Sequence, residues 1–456
     1  MNAMDALTDH VLGTSFADLP RTAVDSAKTF ILDSIGVGIS GSRHPLTCKV
    51  KQAVAAWGDA HHARVLATGE WLPAPSAVMV NAYQVHNQEF DCLHDRAVVH
   101  TLATVMTSLL AYAERGGGAS GEDMLLALVL GVDVAAFIGM TPRGPMRFFR
   151  PALCGALGAT AALAKIGDFD RETFRNAMGI MYSHLSGTMQ AHTEGLPTVA
   201  LQVGLNGRAA ISAFDLARTG FSGPRDILDG PYGYFSLFDT DPDWESAGAE
   251  LGEVFQITRM SHKPYPTGRA CHAGIDGVQM LQARYNFSAD DVAHVRVIAP
   301  PLISRLVGRQ AHENMNVGYA KLCMGYDVAT ALLTGDVGIR DFDAEALADP
   351  RRIALGRRVE VVSNRNADAN ALGPQSVEVA LHSGATHTID LPALLGHPDN
   401  PLSRERQMKK FDACWRSAGV AFDPRQIEQL IEALDNFDAL SDVRRVVDLS
   451  IAGSTP

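Results

Sequence analysis

The chain has 456 residues, of which 46% are hydrophobic and 20% are charged, as in ordinary globular proteins. Its 51 acidic and 39 basic residues give a formal net charge of −12, and no Lys/Arg-rich block is present, so nucleic acid and anionic membranes are not expected partners. The length predicts about two or three domains, or one large core with a smaller inserted domain.

The N-terminal residues MNAMDALTDHVLGTSF lack the basic start and the apolar run of a secretory signal. No run of eighteen or more apolar residues predicts a membrane-spanning helix. The six cysteines are scattered without a CxxC pair, so neither a zinc site nor a dense disulfide framework is indicated. We therefore expect a cytoplasmic protein.

Residues 1–255 mostly show helical spacing of their apolar side chains. The stretch RGGG at residues 115–118 predicts the end of one helix, and Ser120, with Asp123 three residues later, predicts the N-terminal cap of the next. Small residues recur in CGALGATAALAK, residues 154–165, which allows neighbouring helices to approach closely. These features predict a compact bundle of buried helices.

The stretch GVGISG, residues 36–41, matches the glycine pattern GxGxxG of dinucleotide-binding loops. Such a loop needs a strand before it and a helix after it, whereas here TAVDSAKTFILDS has helical spacing and SRHPLT is typical of a turn. The glycines therefore predict the end of a glycine-rich helix and no cofactor site.

After residue 250 the sequence contains short β-branched segments, which predict strands: VFQITRM, VAHVRVIAP, RVEVVS and SVEVALHSGATHTIDLP, the last with a glycine-centred turn typical of a hairpin. Helical stretches such as YAKLCMGYDVATALLTG lie between them, so this part is predicted to be α+β. Helical spacing returns from SRERQMKKFDACW onward. These last helices form either a third small unit or a return of the chain to the first bundle.

An acid-rich segment, HNQEFDCLHDRAVVH at residues 86–100, places Glu89, Asp91 and Asp95 beside three histidines, of which His94 and His100 follow the first two acids. Carboxylates and imidazoles gathered in one pocket can supply a general acid and a general base whose pKa values are pushed apart by each other's charge. A metal site is a second possibility, although no HExxH spacing fixes two histidines on one helix face. A solvated loop that precedes the next helix is a third.

The segment SHKPYPTGRACHAGID, residues 261–276, is a second concentration of polar side chains. Pro264 and Pro266 hold the backbone extended, so Lys263 is expected outside any helix, where it acts as a base or as a clamp for a carboxylate. His272 lies where the next helix begins, at an end that attracts anions. The alternative is a structural turn with an exposed lysine, and Tyr326, in a helical stretch, is by itself more typical of a core tyrosine.

Several stretches together resemble the 2-methylcitrate dehydratase (MmgE/PrpD) family, which includes cis-aconitate decarboxylase and iminodisuccinate epimerase. They occur in the family's order and include LPRTAVDSAKTFILDSIGVGISG, VNAYQVHNQEFDCLHDRAVVH, GLNGRAAISAFDLARTGFSGPRDILDGPYGYF, KPYPTGRACHAGID, AKLCMGYDVATALLTG and PLSRERQMKKFDACW. The resemblance implies a mainly α fold, with a large all-helical domain from residues 1–258 and 401–456 and an inserted smaller α+β lid domain from residues 259–400. It also implies a cofactor-independent homodimer, without a metal, that binds a small di- or tricarboxylate between the two domains.

The resemblance assigns site residues by their positions in the shared stretches. His100, Lys263 and Tyr326 match family residues, and we expect His100 and Lys263 to transfer protons, Asp91 to orient His100, and Tyr326 to donate a hydrogen bond. The expected substrate-binding residues are Glu89, His94, Arg150, Tyr265, Arg269 and His272.

The chain departs from the family pattern at three places. Cys92 and Leu93 replace an Asp-Thr pair, Arg150 stands in place of a histidine, and Val199 falls on or near a position where lysine is common. Arginine binds a carboxylate through a bidentate fork but is a poor proton donor. The departures therefore indicate a different substrate, or even a different reaction, from the relatives that keep those residues.

The resemblance implies proton transfer at carbon next to a carboxylate, which needs a base, an acid and cations. A lyase, either a 2-methylcitrate dehydratase-like enzyme or a decarboxylase, is the first expectation. An epimerase of an iminodisuccinate-like dicarboxylate is the alternative, and a catalytically silent carboxylate-binding protein is an alternative of another class.

Overall fold

The structure, a computed structural model, describes residues 2–238 and 241–453, and most of them are helical. The α-helices before residue 250 are α1 (Ala3–Gly13), α2 (Arg21–Gly41), α3 (Pro45–Ala55), α4 (Ala74–His86), α5 (Leu102–Gly116), α6 (Gly121–Met140), α7 (Arg150–Ile166), α8 (Arg171–Tyr182), α9 (Gln190–Glu194), α10 (Thr198–Arg218), α11 (Tyr234–Leu237) and α12 (Trp244–Gly248). The later helices are α13 (His272–Tyr285), α14 (Pro301–Val307), α15 (Val317–Ala320), α16 (Met324–Thr334), α17 (Ala344–Leu347), α18 (Pro350–Gly356), α19 (Arg404–Arg416), α20 (Pro424–Asp435) and α21 (Arg444–Leu449).

The strands of the described residues are short outside one small sheet: β1 (Ala63–Arg64), β2 (Trp71–Leu72), β3 (Leu93–His94), β4 (Met260–Ser261), β5 (Val292–Ala299), β6 (Val359–Ser363), β7 (Gln375–Leu381) and β8 (Thr386–Leu391). The sheet has the order β6-β5-β7-β8, with β5 parallel to β6 and antiparallel to β7. β7 and β8 form the predicted hairpin, and Gly384 in its turn has a φ of +90°, which glycine adopts without strain. The predicted class, mainly α with a small α+β part, is confirmed.

Local signals in the sequence set several helix boundaries. Ser120 Oγ accepts a hydrogen bond from the Asp123 backbone N–H at 3.1 Å, so the predicted cap of α6 is present. α5 ends before Gly117, whose φ is +89°. GVGISG forms the last turns of α2, where a Cβ on Gly41 would stand 1.9 Å from the Gln84 carbonyl oxygen of α4. The glycine pattern therefore serves close helix packing.

The larger hydrophobic core contains side chains from both ends of the chain, such as Ile31, Leu128, Phe411 and Leu430. α19 packs against α2, so the C-terminal helices return to the first bundle, the second of the two organisations predicted from the sequence. A second core joins α13 and α16 to one face of the sheet. α6 is long and apolar enough to cross a membrane, but 89% of its most apolar window is buried inside the protein, as in a core helix.

The strand predicted for VFQITRM is wrong in most of its length. The structure has a 3₁₀ turn at Gln256–Arg259, followed by the two-residue strand β4. The Asp133 carboxylate of α6 accepts a hydrogen bond from the Gln256 backbone N–H at 2.7 Å, which holds this backbone away from a sheet. β4 pairs with β3, so the acid-rich segment lies directly beside the start of the lid.

Candidate active site

The acid-rich segment leaves the C-terminal end of α4 and is held in place by two buried lysines. Lys321 Nζ, between α15 and α16, donates to the Gln88 carbonyl oxygen at 2.7 Å. Lys410 Nζ, in α19, donates to the Phe90 carbonyl oxygen at 2.7 Å. Between these contacts Glu89 has a φ of +51°, a left-handed conformation that is uncommon for a non-glycine residue. The lid and the C-terminal helices thus fix the backbone on both sides of Glu89.

Asp91 is buried between two imidazoles. Its Oδ2 lies 2.9 Å from His86 Nδ1 and 3.2 Å from His100 Nδ1. The two rings meet edge to face with centroids 4.8 Å apart. Two imidazoles therefore share one buried carboxylate oxygen close to the end of α4.

The pKa values of the two imidazoles beside Asp91 are shifted in opposite directions. Burial lowers the pKa of His100, and the opposing charge of Asp91 does not restore it. Burial acts in the same direction on His86, but there the charge of Asp91 and its hydrogen bond prevail and raise the pKa. Asp91 is buried, yet the imidazoles hold its pKa well below the usual range. The site therefore contains one imidazole poised to be neutral beside one that favours its charged form.

A buried ion pair lies next to the imidazoles. Lys263 Nζ is 3.3 Å from Glu89 Oε2, and the Lys263 side chain is completely buried. Although burial opposes ionisation of Glu89, the positive charges of Lys263 and His86 lower its pKa to about 2. Lys321, also buried, has its pKa lowered to about 7, chiefly by burial. A lysine that titrates near neutrality can both give and take a proton.

Two cavities meet at this cluster. One, of about 60 Å³, is lined by His86, Glu89, His100 and Arg269 together with His192 and apolar side chains. The other, of about 240 Å³, is lined by Lys321 and mainly apolar side chains. His86, Glu89 and Leu322 belong to the walls of both. We name them the small cavity and the large cavity.

The structure brings together five of the residues predicted for the site. Glu89, His100 and Arg269 line the small cavity, and Asp91 and Lys263 lie directly behind them. Arg269 NH1 donates to the Leu395 carbonyl oxygen at 2.7 Å, and its NH2 lies 3.5 Å from Asp95 Oδ2. Arg269 is thus an oriented cation in the wall of the cavity.

Lys263 was expected to face the cleft, but among the described residues Glu89 lines the cavities and Lys263 stands behind it. Pro264 and Pro266 do keep Lys263 out of a helix, as predicted. The expectation that Asp91 orients His100 is only part of the geometry, because the shorter contact of Asp91 is to His86.

Four predicted binding residues have other partners and are absent from the described walls of both cavities. His94 Nδ1 accepts from the Ala97 N–H at 3.1 Å and Nε2 lies 3.0 Å from Gln256 Oε1. The Tyr265 hydroxyl donates to Asp276 Oδ1 at 2.8 Å. Arg150 NH1 lies 3.3 Å from the Gly139 carbonyl oxygen, and His272 Nδ1 lies 3.3 Å from Arg269 NH1. These partners hold the four side chains inside the protein.

Tyr326 also lies outside the described walls of the cavities. It is fully buried in the lid core, and its hydroxyl donates to the Asp341 carbonyl oxygen at 2.6 Å. Helix α16 directs this side chain toward the lid interior. Tyr326 is therefore a core tyrosine, the alternative that the residues alone indicated.

Two of the three departures from the family pattern lie at the cavities. Leu93 lines the small cavity and Val199 lines the large one. Cys92 is buried, and its Sγ lies 3.9 Å from Ser34 Oγ. The replacements therefore make the walls of both cavities more apolar than lysine and threonine would.

Three site residues escaped the assignment made from the sequence. His86 opens the acid-rich stretch, and its place among those acids and histidines was the available signal. Lys321 stands alone in the apolar stretch YAKLCMGYD, which was a weaker signal. His192 lies within α9, and burial lowers its pKa to about 4. No sequence pattern singles it out.

His86, Asp91 and His100 are also the residues that could hold a metal ion. Their donor atoms lie within 4.8 Å of one another, and all three side chains are buried. The positive charge of Lys263 acts on both imidazoles, and the negative charge of Asp91 acts on them in the opposite sense.

Comparison with known proteins covers nearly the whole chain. The MmgE/PrpD N-terminal domain matches residues 5–247, and the MmgE/PrpD C-terminal domain matches residues 265–436. A cis-aconitate decarboxylase from Aspergillus terreus is 24% identical, over 95% of this chain and 92% of its own length. The cis-aconitate decarboxylase-like protein oryM from Aspergillus oryzae is 23% identical, over 95% of this chain and 94% of its own length. The chain belongs to the MmgE/PrpD family.

Proposed function

We propose that the protein is a cofactor-independent lyase that acts on a small di- or tricarboxylate by proton transfer at carbon next to a carboxylate. The observation that carries the proposal is the buried Asp91, which lies between one imidazole whose pKa is lowered and one whose pKa is raised. The adjacent small cavity is also lined by Arg269. Proton abstraction beside a carboxylate needs a neutral base and fixed positive charge close together. The small cavity offers both.

His100 is the proposed base. Its pKa is lowered by burial, so the imidazole is free to accept a proton, and it lines the small cavity. Once His100 is protonated, the Asp91 carboxylate 3.2 Å away stabilises the new charge. Asp91 is thus a positioning residue that becomes most favourable after the proton has moved.

Cations on the other sides of the cavity bind carboxylates and stabilise the developing enolate-like charge. Arg269 is held by a backbone carbonyl and is proposed to bind a substrate carboxylate. His86, whose pKa is raised, adds positive charge at the junction of the cavities. Such preorganised charge in a water-poor site is usually the largest single contribution to catalysis.

Lys263 and Lys321 are the proposed acids. In a dehydration, His100 takes the α-proton, a C=C bond forms, and hydroxide leaves with a proton from a lysine as water. In a decarboxylation, the C–C bond breaks, carbon dioxide leaves, and the remaining carbanion takes the lysine proton. Lys321 lines the large cavity, whereas Lys263 lies behind Glu89 and is paired with its carboxylate. Family membership and the decarboxylase relatives support a lyase of one of these two types.

Epimerisation is the second candidate. His100 lines the small cavity and Lys321, with a pKa of about 7, lines the large one, so proton acceptors stand in two adjacent cavities that share wall residues. A two-base epimerase removes a proton on one face of a carbon and returns one on the other. An iminodisuccinate-like dicarboxylate is the proposed substrate in that case.

Proton NMR of the protein in heavy water separates these reactions. The panel is 2-methylcitrate, citrate, cis-aconitate, tartrate, malate and iminodisuccinate. An alkene or a decarboxylated product supports the lyase, and deuterium at carbon with only a change of stereochemistry supports the epimerase. Stabilisation by these acids without any turnover would contradict both and identify a silent binder.

A matched pair of variants ties the activity to the site. His100→Asn should lower kcat by about 10²-fold to 10⁴-fold, the usual worth of a general base. His184→Asn, which changes an exposed histidine, should leave kcat unchanged. Equal activity in both variants would remove His100 from the reaction.

A further inference from the structure

The large cavity extends from the proton-transfer cluster between the helical bundle and the lid. Its volume is about 240 Å³, four times the 60 Å³ of the small cavity, which contains the base and the arginine. Its walls come from α3, α4 and α10 on one side and from α15 on the other. The apolar side chains that define its walls are Leu46, Leu196, Val199, Ala200, Val317 and Leu322.

Ionisable groups are concentrated at one end of this cavity. His86, Glu89 and Lys321 stand at the junction with the small cavity or at the acid-rich segment. His44 is the other imidazole in the wall, and burial lowers its pKa to about 4, so it is neutral. Its Nδ1 accepts a hydrogen bond from the Leu46 backbone N–H at 3.2 Å. Away from the junction no charged side chain of the described residues faces the cavity.

The other polar side chains in the wall are largely engaged within the protein. Asn316 Oδ1 accepts from the Tyr319 N–H at 2.9 Å as the cap of α15. Asn87 Nδ2 donates to the Gly41 carbonyl oxygen at 3.1 Å. A second carboxylate placed against the buried side chains of Val199 and Ala200 would lose its hydration without gaining a cation, which is costly.

From this separation of charge we infer that the substrate is a carboxylate with an apolar substituent, and that the substituent, an alkyl chain of about four to six carbons, occupies the large cavity. The inference rests on the proposed function, because the carboxylate head is placed at the proton-transfer cluster. An apolar cavity of roughly 150 Å³ accepts benzene, so a volume of about 240 Å³ suits a chain of this size. Val199 of α10 and Val317 of α15 line the cavity from the helical bundle and from the lid.

Binding of unreactive acids tests the inference without requiring turnover. The probes are succinate and its 2-ethyl, 2-butyl and 2-hexyl derivatives, with dissociation constants measured by isothermal titration calorimetry. Affinity should rise about fourfold per methylene up to the butyl or hexyl chain, which corresponds to about 0.8 kcal/mol for each buried methylene. Equal affinity for succinate and 2-hexylsuccinate would overturn the inference.

Variants assign the gain to this cavity. Val199→Phe and Val317→Phe each fill it from one side, and in each the gain from the longer chains should be lost while succinate binds as before. Leu216→Phe, on the exposed face of the same helix as Val199, should keep the full gain. An unchanged chain-length series in both filled variants would place the alkyl group elsewhere, and the second variant covers the case in which the first fails to fold.

The reactions of the six-acid panel, measured beside the binding series, keep this inference separate from the proposed function. A chain-length gain in affinity without deuterium exchange in any acid would contradict the proposed lyase and support the apolar cavity. Turnover of short acids without any chain-length gain would support the lyase and contradict the alkyl substituent.

Discussion

Replacing Glu89 by glutamine removes one negative charge and little volume from the centre of the site. Glu89 Oε2 lies 3.3 Å from Lys263 Nζ, and the glutamate side chain is 13% exposed. The lowering of the Glu89 pKa from 4.5 to about 2 by Lys263 and His86, against the effect of burial, corresponds to about 3 kcal/mol. The Glu89→Gln variant should therefore lose about 3 kcal/mol of unfolding free energy at pH 7, because Lys263 becomes a buried charge without its carboxylate.

The pH dependence gives this loss a definite sign. Because the folded pKa of Glu89 is depressed, its contribution to stability is complete above about pH 5 and is lost as the pH falls toward about 2. Urea unfolding of the native chain and of the variant at several pH values measures the difference. The two stabilities should differ by about 3 kcal/mol at pH 7 and converge in acid.

A control separates this ion pair from general effects of the substitution. Glu428→Gln changes an exposed glutamate in α20 and should alter stability by no more than about 0.5 kcal/mol. If Glu89→Gln is as stable as the native chain at pH 7, or if the difference stays constant down to pH 3, the ion pair does not contribute as the geometry implies.

Four further predictions concern the cations and the cavities. Lys263→Met should lower kcat by at least about 10²-fold with an unchanged far-ultraviolet circular dichroism spectrum, while Lys409→Met, at a side chain 80% exposed, should retain activity. Burial lowers the pKa of Lys321 to about 7, so native stability should rise by about 1.4 kcal/mol per pH unit between about pH 7 and about pH 10, where only the unfolded chain still holds this proton. Urea unfolding of Lys321→Met should lack this rise. Turnover should survive dialysis against EDTA, and inactivation restored by a divalent ion would instead establish a metal at the imidazole pair. Val199→Lys should remain folded and monodisperse by gel filtration because Val199 faces the large cavity, and aggregation would place it in the core.

The sequence indicated the local structure wherever short-range rules act alone. The cap at Ser120, the helix end before Gly117 and the β7–β8 hairpin follow from residue types at fixed spacing, and the structure has all three. The strand predicted for VFQITRM is wrong in most of its length because a long-range hydrogen bond from Gln256 to Asp133 overrides the β propensity of its residues.

The family resemblance indicated the large-scale organisation that spacing alone left open. Composition and periodicity allowed either a third unit or a return of the chain to the first bundle. In the structure α19 packs on α2, so the chain returns to the first bundle, and Gly36 of α2 leaves room for the Phe411 ring of α19. The same resemblance named Glu89, Asp91 and His100 within twelve residues of one another.

By itself, the sequence determined which segments carry chemistry, since clusters of ionisable residues are visible in a linear chain. Only the tertiary structure decided which of those side chains meet. Asp91 lies closest to His86, Lys321 joins the site from the lid, and Tyr326 turns into the lid core. The physical reason is that pKa values and cavity walls depend on burial and on charges that come from remote parts of the chain, such as Lys263 beside Glu89.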